Sequence, residues 1–572
     1  MYNAVMHIDI VPNRGSPPTV LLRESYREGK KVKKRTLANL SDLPMAQVEA
    51  IRAILRGETW GPVTERWTVI RSQAHGHAEA VGLIMKRLNI ASLIASRPCR
   101  ERDIVEALTA SRILAPHTKL ATTRWWHTTT VAEMFGVTDV TENDCYAAMD
   151  WLLARQDRIQ KKLAARHLKA EGLVLYDLSS SYFEGTTCPL ARRGYSRDGR
   201  RGTLQVNYGL MTDDRGCPVA VTVHEGNTAD PTTLMPEIAR VRDEFGITQF
   251  VMVVGRGMIS SAAITTLRDQ GGIDWITALK SASIRALVED KTIQPDLFDE
   301  RNLCEITHPD YPGERLVACR NPELAKLRRH KREELLQATE DDLAKITARI
   351  EAGRLKGQDK IGVAVGRVIN RYKMAKHFTL TITDTTLTFT RKTEAIAAEA
   401  MLDGIYIIRT SVNPERLDSA SCVRHYKSLS QVERAFRSLK TVDLKVRPIH
   451  HRLSDRVRAH IFLCMLAYYV EWHLKEAWRE LLFADEDQAA KATRDPVAPA
   501  ERSAAAKAKV ARRHHADGTP IHSFHTLLTE LATVVRNTCT LAGVDDASPF
   551  TITTQPTPLQ QRAMACVANF PM

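Results

Sequence analysis

Short, largely apolar runs separated by helical patterns limit most strongly how this chain can fold. The runs are 173–176, 250–254, 274–279 and 404–408. The second run is apolar throughout, as expected of a strand that is buried on both faces of a sheet. Segments with apolar residues three and four apart lie between and around the runs. Strands that alternate with helices predict a mixed α/β sheet with flanking helices.

Length and charge narrow the class of protein. The chain has 572 residues, of which 44% are hydrophobic and 26% charged, so it is globular and too long for a single hydrophobic core. Lysine and arginine exceed the acidic residues by 81 − 67 = +14. Such an excess favours a polyanionic partner such as nucleic acid. A basic enzyme that uses its charge only for solubility is the alternative.

The spacing of the cysteines and the hydropathy of the chain indicate the cellular compartment of the protein. No two of the ten cysteines have Cys-x-x-Cys spacing, so reduced thiols in a cytosol are expected. The first residues lack the basic and apolar regions of a signal peptide. The longest apolar run, Ile461 to Val470, has ten residues, which predicts a buried helix rather than a membrane span. We therefore expect no membrane partner.

Changes of pattern divide the chain into six segments. They are a β-hairpin region at 1–60, a helical region at 61–170, the first part of an α/β core at 171–280, a β-rich and helical insertion at 281–402, the second part of the core at 403–475, and a helical C-terminal region with a flexible basic linker at 476–572. A cluster of cations at 30–35 fits either DNA phosphates or a solvated edge strand. A basic strand is compatible with both interpretations of the cluster, so both interpretations stay open.

Asp177 is the first candidate for catalysis. It ends the apolar run 173–176, where an unpaired buried charge would be costly. A bound metal ion would neutralise a carboxylate in that position. The alternative is a cap or turn, because three serines follow at 179–181.

Glu433 is the second candidate. Arg437 and Lys440 follow it at distances of four and seven residues, so the sequence predicts an acid and two cations on one helix face. That combination suits a protein that binds a metal and a phosphate backbone together. A surface ion pair is the alternative interpretation. A dense basic block at 445–458, which includes Arg447, favours the first.

The same stretch resembles a known signature. Tyr426, Glu433 and Lys440 have the spacing of the Tyr-Arg-Glu-Lys signature of bacterial insertion-sequence transposases with an Asp-Asp-Glu catalytic triad. The segments GNTAD, DWITALKS, DGIYIIRT and RPIHH are also similar to that family. The resemblance implies a ribonuclease-H-like core that an insertion interrupts. It assigns Asp177 as the first catalytic acid and Glu433 as the third.

Two positions depart from the family pattern. Leu429 stands where the signature has arginine, and Gly255 stands where the second catalytic aspartate is expected, directly before Arg-Gly-Met. Two metal ions about 4 Å apart need shared carboxylates, so the loss of one should be severe. Asp230, Asp269 or Asp274 could substitute only if the fold brings one of them close.

The resemblance implies binding of terminal inverted repeats, metal-dependent strand cleavage and strand transfer. The implied cofactor is Mg²⁺ or Mn²⁺, and the implied partners are the double-stranded DNA of the element ends and target and a second copy of the chain. The helical region 61–170 would bind DNA ends in the nucleoid of a bacterial cytoplasm. We expect contacts to the phosphate backbone of the DNA from Tyr426, Arg437, Lys440 and Arg447. The alternatives are a catalytically impaired copy that only binds DNA, which Gly255 favours, and a structure-specific nuclease.

Overall fold

A computed structural model describes residues 5–57, 67–200, 202–294, 297–541 and 548–571. The chain forms two compact units, each described by itself below. The first consists of Met1–Gln73 with Val535–Thr554, and the second of Ala74–Val534 with Gln555–Met572.

The strands are β1 (Val5–Val11), β2 (Thr19–Glu28), β3 (Lys31–Asn39), β4 (Trp67–Ala74), β5 (Leu173–Tyr182), β6 (Gln205–Thr212), β7 (Pro218–Glu225), β8 (Phe250–Val254), β9 (Ile273–Ala278), β10 (Leu303–Ile306), β11 (Arg315–Arg320), β12 (Phe378–Ile382), β13 (Leu387–Arg391), β14 (Ile405–Thr410), β15 (Val535–Leu541) and β16 (Phe550–Thr553). The α-helices are α1 (Met45–Leu55), α2 (Gly76–Arg87), α3 (Ile90–Ile94), α4 (Arg100–Leu114), α5 (Lys119–Trp125), α6 (Val131–Met134), α7 (Glu142–Leu153), α8 (Gln156–His167), α9 (Asp230–Ala239), α10 (Ser261–Gln270), α11 (Ser281–Glu289), α12 (Pro322–Glu351), α13 (Gln358–Tyr372), α14 (Thr393–Ala400), α15 (Ser419–Lys427), α16 (Leu429–Arg437), α17 (Ser454–Ala477), α18 (Ala489–Thr493), α19 (Ala504–Arg512), α20 (Phe524–Ala532) and α21 (Pro558–Ala568).

The first unit contains the predicted hairpin. Strands β2 and β3 pair antiparallel, with β1 on the other side of β2, and the turn uses the left-handed conformation of Gly29. Helix α1 packs Val48 against Ile8 and Val20 to form a small core. The basic cluster lies on β3, an edge strand, where Lys34 pairs with Asp9 at 3.0 Å. A second sheet, of order β16-β15-β4, was not predicted from the sequence.

The second unit is built on one mixed sheet of eight strands. Its order is β10-β11-β14-β9-β8-β5-β6-β7. Strands β6 and β7 continue antiparallel from β5 on one side, while β8 and β9 run parallel to β5 on the other. Helices flank this sheet, and α17 is buried along most of its length. The predicted α/β fold class, a mixed sheet with flanking helices, is confirmed, and the strand order is consistent with a ribonuclease-H-like core.

The insertion predicted at 281–402 is joined to the core sheet. Its strands β10 and β11 extend the sheet beyond β14, because β11 pairs antiparallel with β14. The charged helix α12 folds back on α13 as a helical hairpin, and the β12–β13 hairpin completes a separate apolar core. The insertion therefore has one part in the sheet and another with a core of its own.

Local turn chemistry explains the first hairpin of the core sheet. The turn between β6 and β7 covers residues 213–217, and Gly216 in it has a φ of +85°. The Asp213 carboxylate accepts hydrogen bonds from the backbone N–H groups of Arg215 and Cys217. Ala229 is the N-cap of helix α9, and Asp230 is its first residue.

Residues 61–66 of the predicted helical region 61–170 lie outside the described residues; in the rest of it, β4 is followed by helices α2 to α8. Trp126 is buried and its indole N–H donates to Ser111 at 2.8 Å, so this tryptophan packs between helices. Among the described residues, no helix is long and apolar enough to cross a membrane. The predicted basic linker carries the short helices α18 and α19, the second capped by Ser503. Its alanine-rich composition favours helix, which accounts for that departure.

Candidate active site

Asp177 on β5 lies beside Gly255, which directly follows the neighbouring parallel strand β8. Tyr176 of β5 pairs with Val254 of β8, so Asp177 and Gly255, the residues that follow these two, lie at the same level. A Cβ atom added to Gly255 would lie 3.5 Å from Asp177 Oδ1 and 3.9 Å from Met258, which are ordinary van der Waals distances. The backbone at 255 is not in the left-handed region. The protein therefore has both the space and the backbone conformation for a side chain here.

Glu433 is brought to the same neighbourhood by α16, which packs against β5. Burial, and then the negative charges of Glu433 and Asp230, raise the pKa of Asp177 from its ordinary value of 3.8 to about 6. The Leu178 backbone N–H and Arg197 act in the opposite direction. Glu433 itself is exposed at the protein surface. The two predicted acids thus face one region with like charges.

Tyr426 lies on α15 beside the same acids. Burial raises the pKa of the Tyr426 hydroxyl, and Asp177 and Glu433 raise it further, while the nearby Arg256 lowers it. Arg256 directly follows Gly255 and is exposed. A phenol, a guanidinium and two carboxylates therefore share one electrostatic environment.

The prediction that one helix face carries Glu433, Arg437 and Lys440 is wrong for Lys440. After Arg437, residues Ser438–Val442 form a π-helical turn, which has more residues per turn and shifts the register. Arg437 is exposed, whereas Lys440 is 8% exposed and its Nζ donates to Asp198 Oδ1 at 3.0 Å. Burial lowers the pKa of Lys440, against the opposing charge of Asp198.

Asp198 is a residue that the sequence did not single out. Its side chain is 1% exposed, and it accepts from the Tyr182 backbone N–H at 2.9 Å. Arg447, on the segment after the π-helical turn, also pairs with this carboxylate. Asp198 thus ties Lys440 and Arg447 to the end of β5. Nothing in the sequence between 193 and 200 indicates so distant a pairing.

The three aspartates considered as replacements for the missing acid differ in position. Asp230 acts on the pKa of Asp177, and its carboxylate pairs with Arg197. Asp274 pairs with Arg416 at 2.9 Å, and Asp269 is exposed on α10. Asp230 is therefore the candidate whose charge reaches the site, although an arginine neutralises it.

The side chains at this site offer part of the ligand set that a divalent cation needs. Asp177 and Glu433 offer hard oxygen ligands, and their mutual repulsion would be relieved by a cation between them. Gly255 supplies no third carboxylate. Leu429, the other departure from the signature, is 8% exposed and packs into the core as the first residue of α16. No arginine is available at that position.

The mixed sheet and the two acids beside it fit the class of protein that sequence comparison identifies. Residues 173–470 match the family described as "Transposase DDE domain", and residues 8–61 match "IS1634 family transposase, N-terminal domain". The first match covers more than half of the chain, and the chain belongs to the transposase DDE domain family. It is an insertion-sequence transposase, as its resemblance to that family predicted. Membership implies dependence on a divalent metal.

Comparisons with curated proteins and with solved structures add no functional information to the family match. No curated protein matches the chain. Among solved structures, one match is the cryo-EM structure of the piggyBac transposase synaptic complex with hairpin DNA, at 8% identity and a TM-score of 0.35. That match covers 79% of this chain and 77% of the other. A likeness at this level carries no inference about function.

Proposed function

We propose that the protein binds the inverted repeats at the ends of its element as double-stranded DNA, and then performs strand cleavage and strand transfer with Mg²⁺ or Mn²⁺. The observation that supports this most directly is the common electrostatic environment of Asp177 and Glu433 on a ribonuclease-H-like sheet. Two copies of the chain would act together on the element ends and target. The setting would be the nucleoid of a bacterial cytoplasm.

Asp177 and Glu433 would hold the metal in this proposal. When bound, the ion supplies Lewis-acid stabilisation of the phosphoryl group and lowers the pKa of a bound water. Asp177, with a pKa of about 6, is charged at neutral pH and is therefore available as a ligand. The exposed Arg437 and the half-buried Tyr426 would contact the phosphate backbone. Arg447, with Lys440 behind it, would extend this contact from its anchor on Asp198.

A second candidate function is DNA binding without cleavage. Gly255 favours it, because the position beside Asp177 carries no ligand. A structure-specific nuclease that never joins DNA to a target is a third candidate. The appearance of joined target products separates a transposase from such a nuclease.

A metal-dependent cleavage assay on a duplex that carries an element end tests the proposal. We expect weak cleavage that requires Mg²⁺ or Mn²⁺ and is lost in both Asp177→Asn and Glu433→Gln. Both variants should still bind the duplex, since neither residue is a cation. Cleavage that survives either substitution would overturn the assignment. No cleavage by the unaltered chain, with full binding, would favour the second candidate.

Arg437→Ala should weaken DNA binding in a salt-dependent way. One lost phosphate contact lowers the slope of log K against log salt by about 0.9 in magnitude. Arg437 is exposed and lies four residues after Glu433 on α16. The measurement is a salt titration of the dissociation constant. Arg329→Ala, an exposed arginine on α12, is the matched control and should leave the slope unchanged. An unchanged slope in Arg437→Ala would place that side chain away from the DNA.

The raised pKa of Asp177 predicts a pH dependence of stability in metal-free protein. The folded-state pKa of about 6 exceeds the ordinary value of 3.8, so the folded state binds more protons between these values. Stability should then fall as pH rises from about 4 to 6, by up to roughly 1.4 kcal/mol for each unit of pKa shift. Urea unfolding with a chelator at pH 5 and pH 8 measures this. Asp177→Asn should reduce the difference between the free energies of unfolding at the two pH values. An equally large difference in that variant would show that Asp177 is not its cause.

A further inference from the structure

Two histidines and a cysteine from distant parts of the chain converge away from the acids. One ligand atom each from His167, Cys217 and His473 lies within 4.8 Å of the other two. In a tetrahedral zinc site with bonds of about 2.0–2.3 Å, neighbouring ligand atoms are roughly 3.3–3.7 Å apart. Closing the cluster on an ion therefore needs movements of about 1 Å.

The three residues lie in or directly beside three different elements of the second unit. His167 is the last residue of α8, Cys217 directly precedes β7, and His473 lies near the end of α17. Cys217 is held by its backbone N–H, which donates to Asp213 Oδ1 at 2.8 Å. A metal here would link a helix of the helical region to the core sheet and to the long buried helix.

Hydrogen bonds prepare His473 as a ligand. Its Nδ1 lies 2.8 Å from the Tyr469 backbone carbonyl, which can only accept, so Nδ1 carries the proton. In the neutral ring, Nε2 then keeps its lone pair. A backbone carbonyl on the other ring nitrogen is a usual way in which proteins orient a metal-binding histidine. The hydroxyl of the same Tyr469 lies 2.9 Å from His167 Nε2, so one tyrosine orients both rings.

The charge state of the two histidines suits a metal. Burial lowers the pKa of His167 and of His473 to about 4, so both rings are neutral at pH 7. Burial raises the pKa of the Cys217 thiol, which a coordinating cation would reverse. The charged groups that face the cluster include Arg166, Arg215 and Glu476, and Arg215 is paired with Asp213 at 3.0 Å.

We propose that His167, Cys217 and His473 form a zinc site, with a fourth position for water. The ligand types distinguish it from the acidic site: imidazole and thiolate favour Zn²⁺ over Mg²⁺, which takes oxygen ligands. The site shares no residue with Asp177, Glu433 or Gly255. Because the three ligands come from α8, the segment before β7 and α17, one ion would link these three segments and stabilise the fold.

Cobalt titration of the full chain tests the site. After treatment with a chelator, one equivalent of Co²⁺ should produce the visible bands of a tetrahedral ion and a near-ultraviolet thiolate-to-metal band. Zn²⁺ should displace the Co²⁺ at one equivalent, whereas Mg²⁺ in large excess should not. Cys217→Ser should lose the thiolate band, while Cys188→Ser, at another buried cysteine, should retain it.

A second measurement distinguishes loss of the metal site from poor folding of a variant. In the unaltered protein, Zn²⁺ should raise the melting temperature, and His473→Gln should remove that increase while its metal-free melting temperature stays near that of the unaltered chain. Absence of the thiolate band in the unaltered protein would overturn the proposal. So would an equally intense band in Cys217→Ser, or displacement of Co²⁺ by Mg²⁺.

Discussion

Gly255→Asp should cleave an end-containing duplex about a thousand times faster than the unaltered chain. That factor corresponds to roughly 4 kcal/mol of transition-state stabilisation, a modest value for a restored metal ligand. The added Cβ would lie 3.5 Å from Asp177 Oδ1 without a steric clash, so the new carboxylate would reach the same metal as Asp177 and Glu433. The measurement is the single-turnover cleavage rate with Mg²⁺.

Gly255→Asn is the matched control, because it has nearly the same size without the charge. It should cleave no faster than the unaltered chain, and all three proteins should bind DNA with similar affinity. Equal and robust cleavage by the glycine and aspartate forms would show that another residue completes the site, with Asp230 the first to test. Activity in neither form would direct attention to Leu429, where the signature arginine is missing.

Asp198→Ala should destabilise the protein by about 3–5 kcal/mol, the cost of leaving a buried charge without its partner. The Asp198 carboxylate is buried and binds both Lys440 and Arg447. The shift of the urea midpoint, at constant slope, measures the loss. A matched control is Glu501→Ala, which removes an exposed partner of Lys507 and should leave the midpoint unchanged.

A double variant separates lost charge pairing from lost packing. Asp198→Ala combined with Lys440→Met should recover part of the stability, because the uncompensated buried amine is gone. If the double variant is as unstable as the sum of the two single variants, the buried ion pair is not the cause. A change below about 1 kcal/mol in Asp198→Ala would show that Lys440 and Arg447 find water or other partners.

Elements with strong local signals could be predicted from the sequence. The all-apolar run 250–254 became β8, and the hairpin region at 1–60 contains the β2–β3 pair. Both depend on residues that are close in the chain. The convergence of Asp177 with Glu433, 256 positions later, came from the family signature. Periodicity alone could not have paired them.

Features that depend on distant contacts could not be predicted. The π-helical turn at Ser438–Val442 moves Lys440 from the exposed face to a buried pair with Asp198, and helical spacing contains no signal for it. Strands β10 and β11 join the core sheet through pairing with β14, about 90 residues later. The group of His167, Cys217 and His473 has no short spacing that would identify it.

Iron-directed cleavage of the polypeptide tests most directly whether Asp177 and Glu433 share one metal site. Fe²⁺ in place of Mg²⁺, with ascorbate and peroxide, cuts the backbone next to the bound ion, and mass spectrometry locates the cuts. We expect cuts near 177, 255 and 433, suppressed by excess Mg²⁺ and absent in Asp177→Asn. Cuts confined to other segments, or cuts near only one of the two acids, would contradict a shared metal site.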